Sequence, residues 1–203
     1  MAFQFPAVIH ASRVTFPKAE LWVPVVSGLH NTAASNSING KIRRTVSELV
    51  QNQGSLEDPR ADMQGYFEIK TNEKDVLSLS LFNYAFTGGA HGLTLQESLT
   101  FDTGSGKSYT LSELFKPGSN YVGRLSDIIK AQIDERQIAT LEPFNAIRPD
   151  QPFYIADRAL VIYFALYELA PYAFGFPYFP ISVYDLSDII NPNGPLGRMD
   201  VNN

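Results

Sequence analysis

The amino-acid sequence predicts an α+β protein with a largely antiparallel sheet and two main amphipathic helices. Strand-like segments come in runs, two longer segments have helical periodicity, and thirteen prolines and fourteen glycines are spread along the chain. Strands in runs with interposed helices, without strict alternation of strand and helix, are typical of this fold class. The 203 residues are 44% hydrophobic, which suffices for one core or for two small subdomains that share it.

Two strands and a helix open the chain. Residues 7–14 and 20–26 are rich in β-branched residues and are bounded by proline and glycine, which predicts short strands. Pro24 places the second strand near a sheet edge or at a bulge, because proline has no backbone N–H to donate. Over 36–53, apolar residues recur at intervals of three and four, which predicts an amphipathic helix that Gly54 ends.

Three strands are predicted next. Residues 63–70 and 76–84 flank the turn-forming segment 72–75, and the second of them alternates serine with leucine, which indicates a hairpin with one wetter face. A glycine-rich loop separates this hairpin from a third strand at 93–101. Residues 102–106 follow it and form a turn by composition.

The C-terminal half combines one long helix with short strands. Thr110 and Glu113 fit a capping box that opens a short helical turn, and apolar spacing predicts a second amphipathic helix over 121–136. The remainder is predicted as three strands and a closing helical turn, at 153–155, 159–164, 179–183 and 184–190.

The glycine-rich loop at 88–92 is the best candidate in the sequence for a boundary between subdomains. If the chain has two subdomains, we predict an N-terminal one of strands, helix and hairpin over 1–88 and a C-terminal α+β one over 89–190. The strands on either side of the loop could also pair across it. Residues 191–203 are predicted to form a polar tail.

Charge and composition exclude several classes of function. A formal net charge of −5 and an isoelectric point near 5.2 oppose the basic surface that phosphate binding needs, so no nucleic-acid partner is expected. The one basic cluster, Lys41, Arg43 and Arg44, lies on the first predicted helix and is interpreted as a solvated face. Because the chain has no cysteine, disulfides and thiolate metal sites are excluded.

The N-terminus and the hydropathy of the chain predict its compartment. Residues 1–6 have no basic segment, Pro6 interrupts their apolar run, and no later stretch approaches the ~20 apolar residues that span a bilayer. We expect neither a signal peptide nor membrane insertion, and hence a cytoplasmic protein as encoded.

Two fragments resemble a nucleotide-binding loop and a catalytic triad, but the surrounding residues support neither. Residues 104–108 resemble the end of a phosphate-binding loop, yet Phe101 stands where the first glycine of that motif belongs. Ser105, His91 and Asp102 could be drawn as a catalytic triad, but Ser105 is on no strand-to-helix elbow. None of the three histidines is spaced from another as in a helical zinc site. The sequence predicts no catalytic residue, no metal site and no cofactor.

The most unusual local sequence is the segment Thr87-Gly88-Gly89-Ala90-His91-Gly92. Glycines at this density indicate positive φ angles or a close approach by another backbone, and the histidine can hydrogen-bond within the loop. Two interpretations remain. The segment is a structural loop with a satisfied imidazole, or it is a ligand-contacting loop in which Gly88, Gly89 and His91 take part.

Aromatic residues are concentrated near the C-terminus, where eleven of the twenty-five lie between positions 153 and 184. The run 172–179 contains Gly175 and Pro177, so it cannot be one buried regular element. Some rings are therefore predicted on an exposed loop, where tyrosine offers a large contact area with a polar tip. A purely core role is the alternative. The candidate contact residues are Tyr167, Tyr172, Phe174, Phe176 and Tyr178.

Glu168 is an acid among apolar neighbours in the same region. One hypothesis makes it a general acid or base activated by desolvation. The other has it accept hydrogen bonds that fix the loop, because buried carboxylates persist only when paired. No second carboxylate is placed beside it by the sequence, so a glycosidase pair is not supported.

Ordered motifs along the chain resemble a known paired domain of unknown function. Residues 84–92, 101–107 and 111–115 resemble its signatures Y-x-Y-T-G-G-A-H-G, F-D-x-x-T-G-K and L-x-D-L-F. The match continues in order through 153–155, 160–164, 167–175 and 181–184. This family includes the extracytoplasmic half of RsiV-like anti-sigma factors, which sense lysozyme by binding it, and the non-catalytic part of PdaC-like peptidoglycan deacetylases.

The resemblance implies an α+β fold and a binding role. We expect neither anti-sigma activity nor deacetylation to carry over, because a sigma-binding segment, a membrane helix and a deacetylase domain are not visible in the sequence. The chain looks closest to stand-alone, signal-less members from spore-forming bacteria. That likeness implies a spore-associated location as an alternative, whereas other relatives are extracytoplasmic.

Three hypotheses of function follow. The first is a non-enzymatic recognition module for a protein, such as a lysozyme-like partner. The second is a carbohydrate or peptidoglycan-binding module, because tyrosine rings also stack on sugars. The third, an uncharacterised hydrolase, would need Glu168 or His91 in a deep pocket beside a second acid.

Overall fold

The computed structural model describes residues 6–54, 56 and 62–200 of the chain. The chain divides between Ser108 and Tyr109 into two compact units. Within its described residues, the first unit contains one helix and five strands in the predicted order: β1 (Val8–Phe16), β2 (Ala19–Ser27), α1 (Thr32–Asn52), β3 (Asp62–Glu73), β4 (Val76–Phe86) and β5 (Leu93–Asp102).

The five strands form one sheet in the order β1-β2-β3-β4-β5. All neighbours are antiparallel except β2 and β3, which run parallel and pair only through Ala19–Leu21 and Met63–Gly65. α1 connects these two strands, since a parallel pair needs a crossover connection. The largely antiparallel sheet confirms the predicted α+β class. Its short β2–β3 seam leaves most of β2 paired with β1 alone.

α1 packs against β2, β4 and β5. Its apolar stripe joins the alternate leucines of β4, as the helical and strand periodicities predict. Burying a leucine or isoleucine side chain stabilises a fold by about 1.5–3 kcal/mol, so this core holds the first unit together. Its most buried members include Ile38, Ile42, Leu49, Leu77, Leu79, Leu81 and Phe101.

α1 begins at Thr32, ahead of the predicted start at residue 36. The Asn31 side chain accepts hydrogen bonds from the backbone N–H groups of Ala33 at 3.0 Å and Ala34 at 3.2 Å, and so caps the helix. Periodicity missed this first turn because its residues are small and form no apolar stripe.

Two asparagine side chains complete the hydrogen bonding around the β1–β2 hairpin. Asn39 of α1 donates to the carbonyl of Val26 and accepts from its N–H, both at 2.8 Å. Asn72 of β3 does the same for Ala7, at 2.8 and 2.9 Å. Pro24 lies in the part of β2 that has no β3 partner, which agrees with its missing N–H. Side-chain amides thus anchor the hairpin where strand pairing ends.

Within its described residues, the second unit contains two helices and a three-stranded antiparallel sheet in the order β6-β7-β8. These elements are α2 (Tyr121–Glu135), β6 (Phe153–Ala156), β7 (Ala159–Tyr163), β8 (Tyr178–Ser182) and α3 (Pro195–Asp200). Single turns of 3-10 helix accompany them at Ser112–Leu114, Tyr172–Phe174 and Val183–Leu186. The sequence predicts all of these elements except α3 and the turn at Tyr172–Phe174.

α2 is tied to the edge strand β8 by two side chains. Gln132 donates to the Pro180 carbonyl and Arg136 donates to the Tyr178 carbonyl, both at 2.8 Å. The Arg136 guanidinium also lies 5.2 Å from the centroid of the Phe179 ring, within range of a cation–π contact. These bonds cover part of an open sheet edge, which proteins commonly protect in this way.

The predicted boundary between residues 88 and 89 does not coincide with the division after Ser108. It falls in the hairpin loop between β4 and β5, which pair without interruption from Val76 with Asp102 to Ala85 with Leu93. A glycine-rich segment serves as a hairpin loop as readily as a linker, and composition does not distinguish the two.

The predicted polar tail at 191–203 is wrong over 195–200, where α3 forms. Leu196 and Met199 are 0% exposed, and the helix contacts the turn at Val183–Leu186. A helix of six residues is too short to show periodicity in the sequence. Residues 201–203 lie outside the described part of the chain.

Candidate functional site

We call residues 165–177, between β7 and β8, the aromatic loop. Tyr167 is 50% exposed and Phe174 is 44% exposed. Three other candidate rings are partly buried: Tyr172, Phe176 and Tyr178. Five rings of the same sequence region are buried: Phe153, Tyr154, Tyr163, Phe164 and Phe179. The aromatic-rich region therefore supplies both core and surface, so the alternative of a purely core role does not hold for Tyr167 and Phe174.

The exposed rings have a defined geometry. The rings of Tyr167 and Tyr172 are stacked, with centroids 5.4 Å apart and planes inclined by 29°. Tyr167 has a φ of 65°, a left-handed conformation that costs a residue with a side chain about 1–2 kcal/mol. The 3-10 turn that carries Phe174 ends at Gly175, whose φ is 76°. Strained backbone conformations of this kind are common at functional sites. The positive φ of Tyr167 therefore motivates a functional hypothesis for this loop.

Glu168 fixes the base of the aromatic loop. One carboxylate oxygen accepts the backbone N–H of Ala165 at 2.7 Å. The other accepts bonds from Gln151 at 3.2 Å and from Arg148. Gln151 is 1% exposed and also donates to the Tyr163 carbonyl at 2.9 Å. Because both oxygens are engaged, the geometry supports the loop-fixing interpretation of Glu168 over the acid–base hypothesis.

The glycine-rich segment is the hairpin loop between β4 and β5 in the first unit. Gly88 and Gly89 have φ angles of 96° and 123° with open space around them, so positive φ explains both glycines. A Cβ at Gly92 would lie 2.3–2.4 Å from the Tyr84 ring, so the close approach is to a side chain and not to backbone. Nδ1 of the exposed His91 donates to the Gly92 carbonyl at 2.9 Å. These contacts fit the structural interpretation, and a ligand-contacting role for this loop stays a prediction.

Gln53, just after α1, anchors the base of the glycine-rich loop. Its side chain donates to the Leu93 carbonyl at 2.6 Å and accepts from Asn83 at 2.5 Å. Asn83 is 2% exposed on β4, and Leu93 begins β5. One side chain thus bonds to both strands of the hairpin near the point where the loop leaves them.

The triad drawn from Ser105, His91 and Asp102 does not form. Asp102 accepts the Ser105 hydroxyl at 2.7 Å and its N–H at 2.6 Å within a turn, whereas His91 precedes the opposite end of β5. The ten residues of β5 span about 30 Å. Over residues 6–54, 56 and 62–200, no group of three or more His, Asp or Glu side chains could hold a metal ion. The same residues include no helix that is long and apolar enough to cross a membrane.

The structure also contains an apolar cleft in the first unit, which the sequence analysis missed. One wall is the β1–β2 hairpin, the other is α1, and the volume between them is about 910 Å³, within the range of ~300–1,000 Å³ typical of ligand cavities. Apolar side chains from both walls line it, among them Val14, Phe16, Leu21, Val23, Val46 and Val50. In the sequence, the only indication of this cleft is the pair of apolar residues Val14 and Phe16, two positions apart in β1. In the structure, both side chains are 38% exposed.

Two known domain families match this chain. Residues 16–94 match the family described as deacetylase PdaC, and residues 112–184 match the protein of unknown function DUF3298. The chain is 32% identical over 183 residues to the anti-sigma-V factor RsiV of Bacillus subtilis (strain 168). This alignment covers 82% of the chain and 63% of RsiV, so the chain spans less than two thirds of the length of this relative.

Two crystal structures share the fold. A DUF3298 family member from Bacteroides fragilis has a TM-score of 0.67 at 14% identity, with 98% of each chain covered. A DUF3298 family protein from Pseudomonas aeruginosa has a TM-score of 0.68 at 18% identity, with 94% of this chain and 96% of that chain covered. The fold is therefore that of a DUF3298-type α+β protein. Together the two family matches and the alignment with RsiV support an RsiV-like paired domain of unknown function, as the ordered motifs predict.

Proposed function

We propose that the chain is a non-enzymatic recognition module whose aromatic loop binds a protein, and that this protein is lysozyme-like. One observation carries the proposal. Tyr167 and Phe174 are 50% and 44% exposed on a loop whose base is hydrogen-bonded to Glu168. Large aromatic side chains on a loop held by a rigid scaffold are typical contact residues of protein interfaces.

The anchored loop reduces the entropic cost of binding. The Tyr167 ring already stacks on Tyr172, and Glu168 already holds Ala165 and Arg148. A side chain that becomes ordered only in the complex costs about 0.5–1.5 kcal/mol. A pre-ordered patch avoids part of this cost, which supports recognition of a rigid, folded partner.

Charge and similarity support a protein as the ligand. The net charge of −5 favours a basic partner and disfavours a polyanionic one. The similarity to RsiV, an anti-sigma factor, extends over 82% of the chain and supports a binding role over a catalytic one. The lysozyme-like identity of the partner rests on the motif resemblance to RsiV-like proteins that bind lysozyme.

Isothermal titration calorimetry of the full chain with a C-type lysozyme tests this proposal. We expect one lysozyme per chain. Tyr167→Asn and Phe174→Ala should each weaken binding about 30-fold, because truncating a central aromatic contact residue costs about 2 kcal/mol. Asparagine tolerates positive φ, so Tyr167→Asn removes the ring without adding backbone strain.

Tyr184→Ala is the matched control. Tyr184 is 48% exposed and follows the end of β8, whereas the aromatic loop enters the start of that strand. This variant should bind like the wild type. Absence of wild-type binding, or the same loss in all three variants, would contradict the proposal.

A carbohydrate or peptidoglycan ligand is the second candidate, and the half-exposed Tyr167 ring favours it, since tyrosine combines an apolar face with a polar tip. Sedimentation with purified peptidoglycan distinguishes the two candidates. The loop recognises a glycan if the wild-type chain sediments with peptidoglycan and gives no heat of binding with lysozyme. In that case Tyr167→Asn should abolish the sedimentation.

A further inference from the structure

We propose that the apolar cleft of the first unit binds a single-chain amphiphile with an anionic head group, such as a long-chain fatty acid. This ligand differs in chemistry from the protein partner of the aromatic loop, and the aromatic loop belongs to the other unit. The cleft is therefore a separate candidate site.

The walls of the cleft present apolar side chains to each other. The register of the hairpin pairs Val14 with Leu21, and directly paired residues of antiparallel strands point to the same face. Val23 lies on that face because it is two residues from Leu21. Val46 and Val50 of α1, four residues apart and so on one side of the helix, line the opposite wall.

The cleft is open because the hairpin separates from the sheet. β2 pairs with β3 only over Ala19–Leu21, and farther along it is held by β1 and by the Asn39 bonds to Val26. The described side chains leave a volume of about 910 Å³ between hairpin and helix. An apolar hollow of this size commonly marks a ligand site.

The charges around the cleft favour an anionic ligand. The polar part of its described lining consists of serine, asparagine and glutamine together with Lys18 and Arg43, without any acidic side chain. This bias stands out in a chain with 21 acidic and 16 basic residues. Arg43 is exposed and makes no hydrogen bond or ion pair within the described ranges. A guanidinium beside an apolar hollow suits a carboxylate whose alkyl chain is buried.

Fatty-acid binding to the purified full chain tests the proposal. Displacement of dansyl-undecanoic acid by decanoate, dodecanoate and tetradecanoate, all below their critical micelle concentrations, measures the affinities. We expect one site per chain and binding that tightens roughly fourfold for each added methylene until the cleft is filled. Dodecanol, which lacks the charge, should bind about fivefold more weakly than dodecanoate.

Two neighbouring arginines provide a matched pair of variants. Arg43→Gln should weaken dodecanoate binding by about two- to fivefold and leave dodecanol binding unchanged, because an exposed charge pair contributes an effect of this size. Arg44 is adjacent on α1 but does not line the cleft, so Arg44→Gln should change neither. Val46→Phe should narrow the cleft between α1 and the hairpin and weaken the binding of both ligands. Circular dichroism checks that this variant folds, and the arginine pair decides the proposal if it does not.

Several outcomes would overturn the proposal. These are the absence of saturable displacement, an affinity that does not depend on chain length, and equal effects of Arg43→Gln and Arg44→Gln. Binding to anionic vesicles without binding to monomeric acid would assign the basic side chains to a membrane surface and would overturn it as well. Tyr167→Asn should bind dodecanoate like the wild type, so the lysozyme titration and this experiment fail independently.

Discussion

Glu168→Gln tests whether a carboxylate holds the aromatic loop. In the wild type, Glu168 accepts from the Ala165 N–H at 2.7 Å, from Gln151 at 3.2 Å and from Arg148. A glutamine amide keeps one acceptor oxygen, turns the other into a donor and removes the charge. Hydrogen bonds to charged groups contribute about 1.5–3 kcal/mol each. The Arg148 side chain is 54% exposed, so solvent limits its ion pair to at most about 1 kcal/mol. We expect the local stability of the loop to fall by about 2–3 kcal/mol.

Native-state amide hydrogen exchange measures this loss of local stability. Exchange of the amides in the aromatic loop should accelerate roughly 30- to 150-fold, and the amides of α2 should exchange as in the wild type. Glu142→Gln is the matched control, because Glu142 is exposed in the same unit and its substitution removes the same charge. Unchanged exchange in Glu168→Gln, or acceleration spread over the whole second unit, would refute the reasoning.

Three further variants test the first unit by urea unfolding. The pKa of Glu97 is raised above its ordinary value of 4.5, chiefly by desolvation and to a smaller extent by repulsion from Glu48. The folded state therefore binds the Glu97 proton more tightly than the unfolded state does, and the stability of the fold falls as pH rises through that range. Glu97→Gln should therefore stabilise the protein by up to about 1 kcal/mol at neutral pH and have no effect well below pH 4.5, and a difference that does not vary with pH would contradict this. Gly92→Ala places a Cβ 2.3 Å from the Tyr84 ring and should cost about 1–3 kcal/mol through overpacking, which an unchanged unfolding midpoint would disprove. The Thr45 hydroxyl is buried without a hydrogen-bond partner in the described chain, so Thr45→Val should stabilise by about 1 kcal/mol, and a lowered midpoint would argue against it.

Elements with strong periodicity could be predicted from the sequence, because their local pattern and their final packing agree. The apolar stripe of α1 and the leucines of β4 identify the face that packs in the core. The predicted wetter face of the hairpin is wrong for β4, because Ser78 and Ser80 are 0% exposed and their hydroxyls hydrogen-bond to Thr100 and Ser98 of β5. α3 could not be found in this way, since Leu196 and Met199 are too few to define a stripe and are buried by tertiary contacts. The division after Ser108 also depends on strand pairing, which the composition of a glycine-rich loop does not reveal.

The sequence predicts the candidate site only where glycine and proline exclude a regular buried element and so indicate exposed side chains. Gly175 and Pro177 exclude a buried regular element and so indicate an exposed loop, and Tyr167 and Phe174 are indeed exposed. The partners of Glu168 could not be inferred, because Arg148 lies twenty positions away in sequence. For the apolar cleft, the sequence offers only the alternation of Val14 and Phe16, and its volume depends on the short parallel pairing of β2 with β3, which that pattern does not reveal.

Differential hydrogen exchange of the full chain, with and without saturating C-type lysozyme, locates the recognition surface directly. Recognition through the aromatic loop predicts slowed exchange over residues 166–175, centred on Tyr167 and Phe174, with β1 and β2 unchanged. Slowed exchange confined to other segments, with the aromatic loop exchanging as in the free chain, would contradict the assignment of this loop as the binding surface.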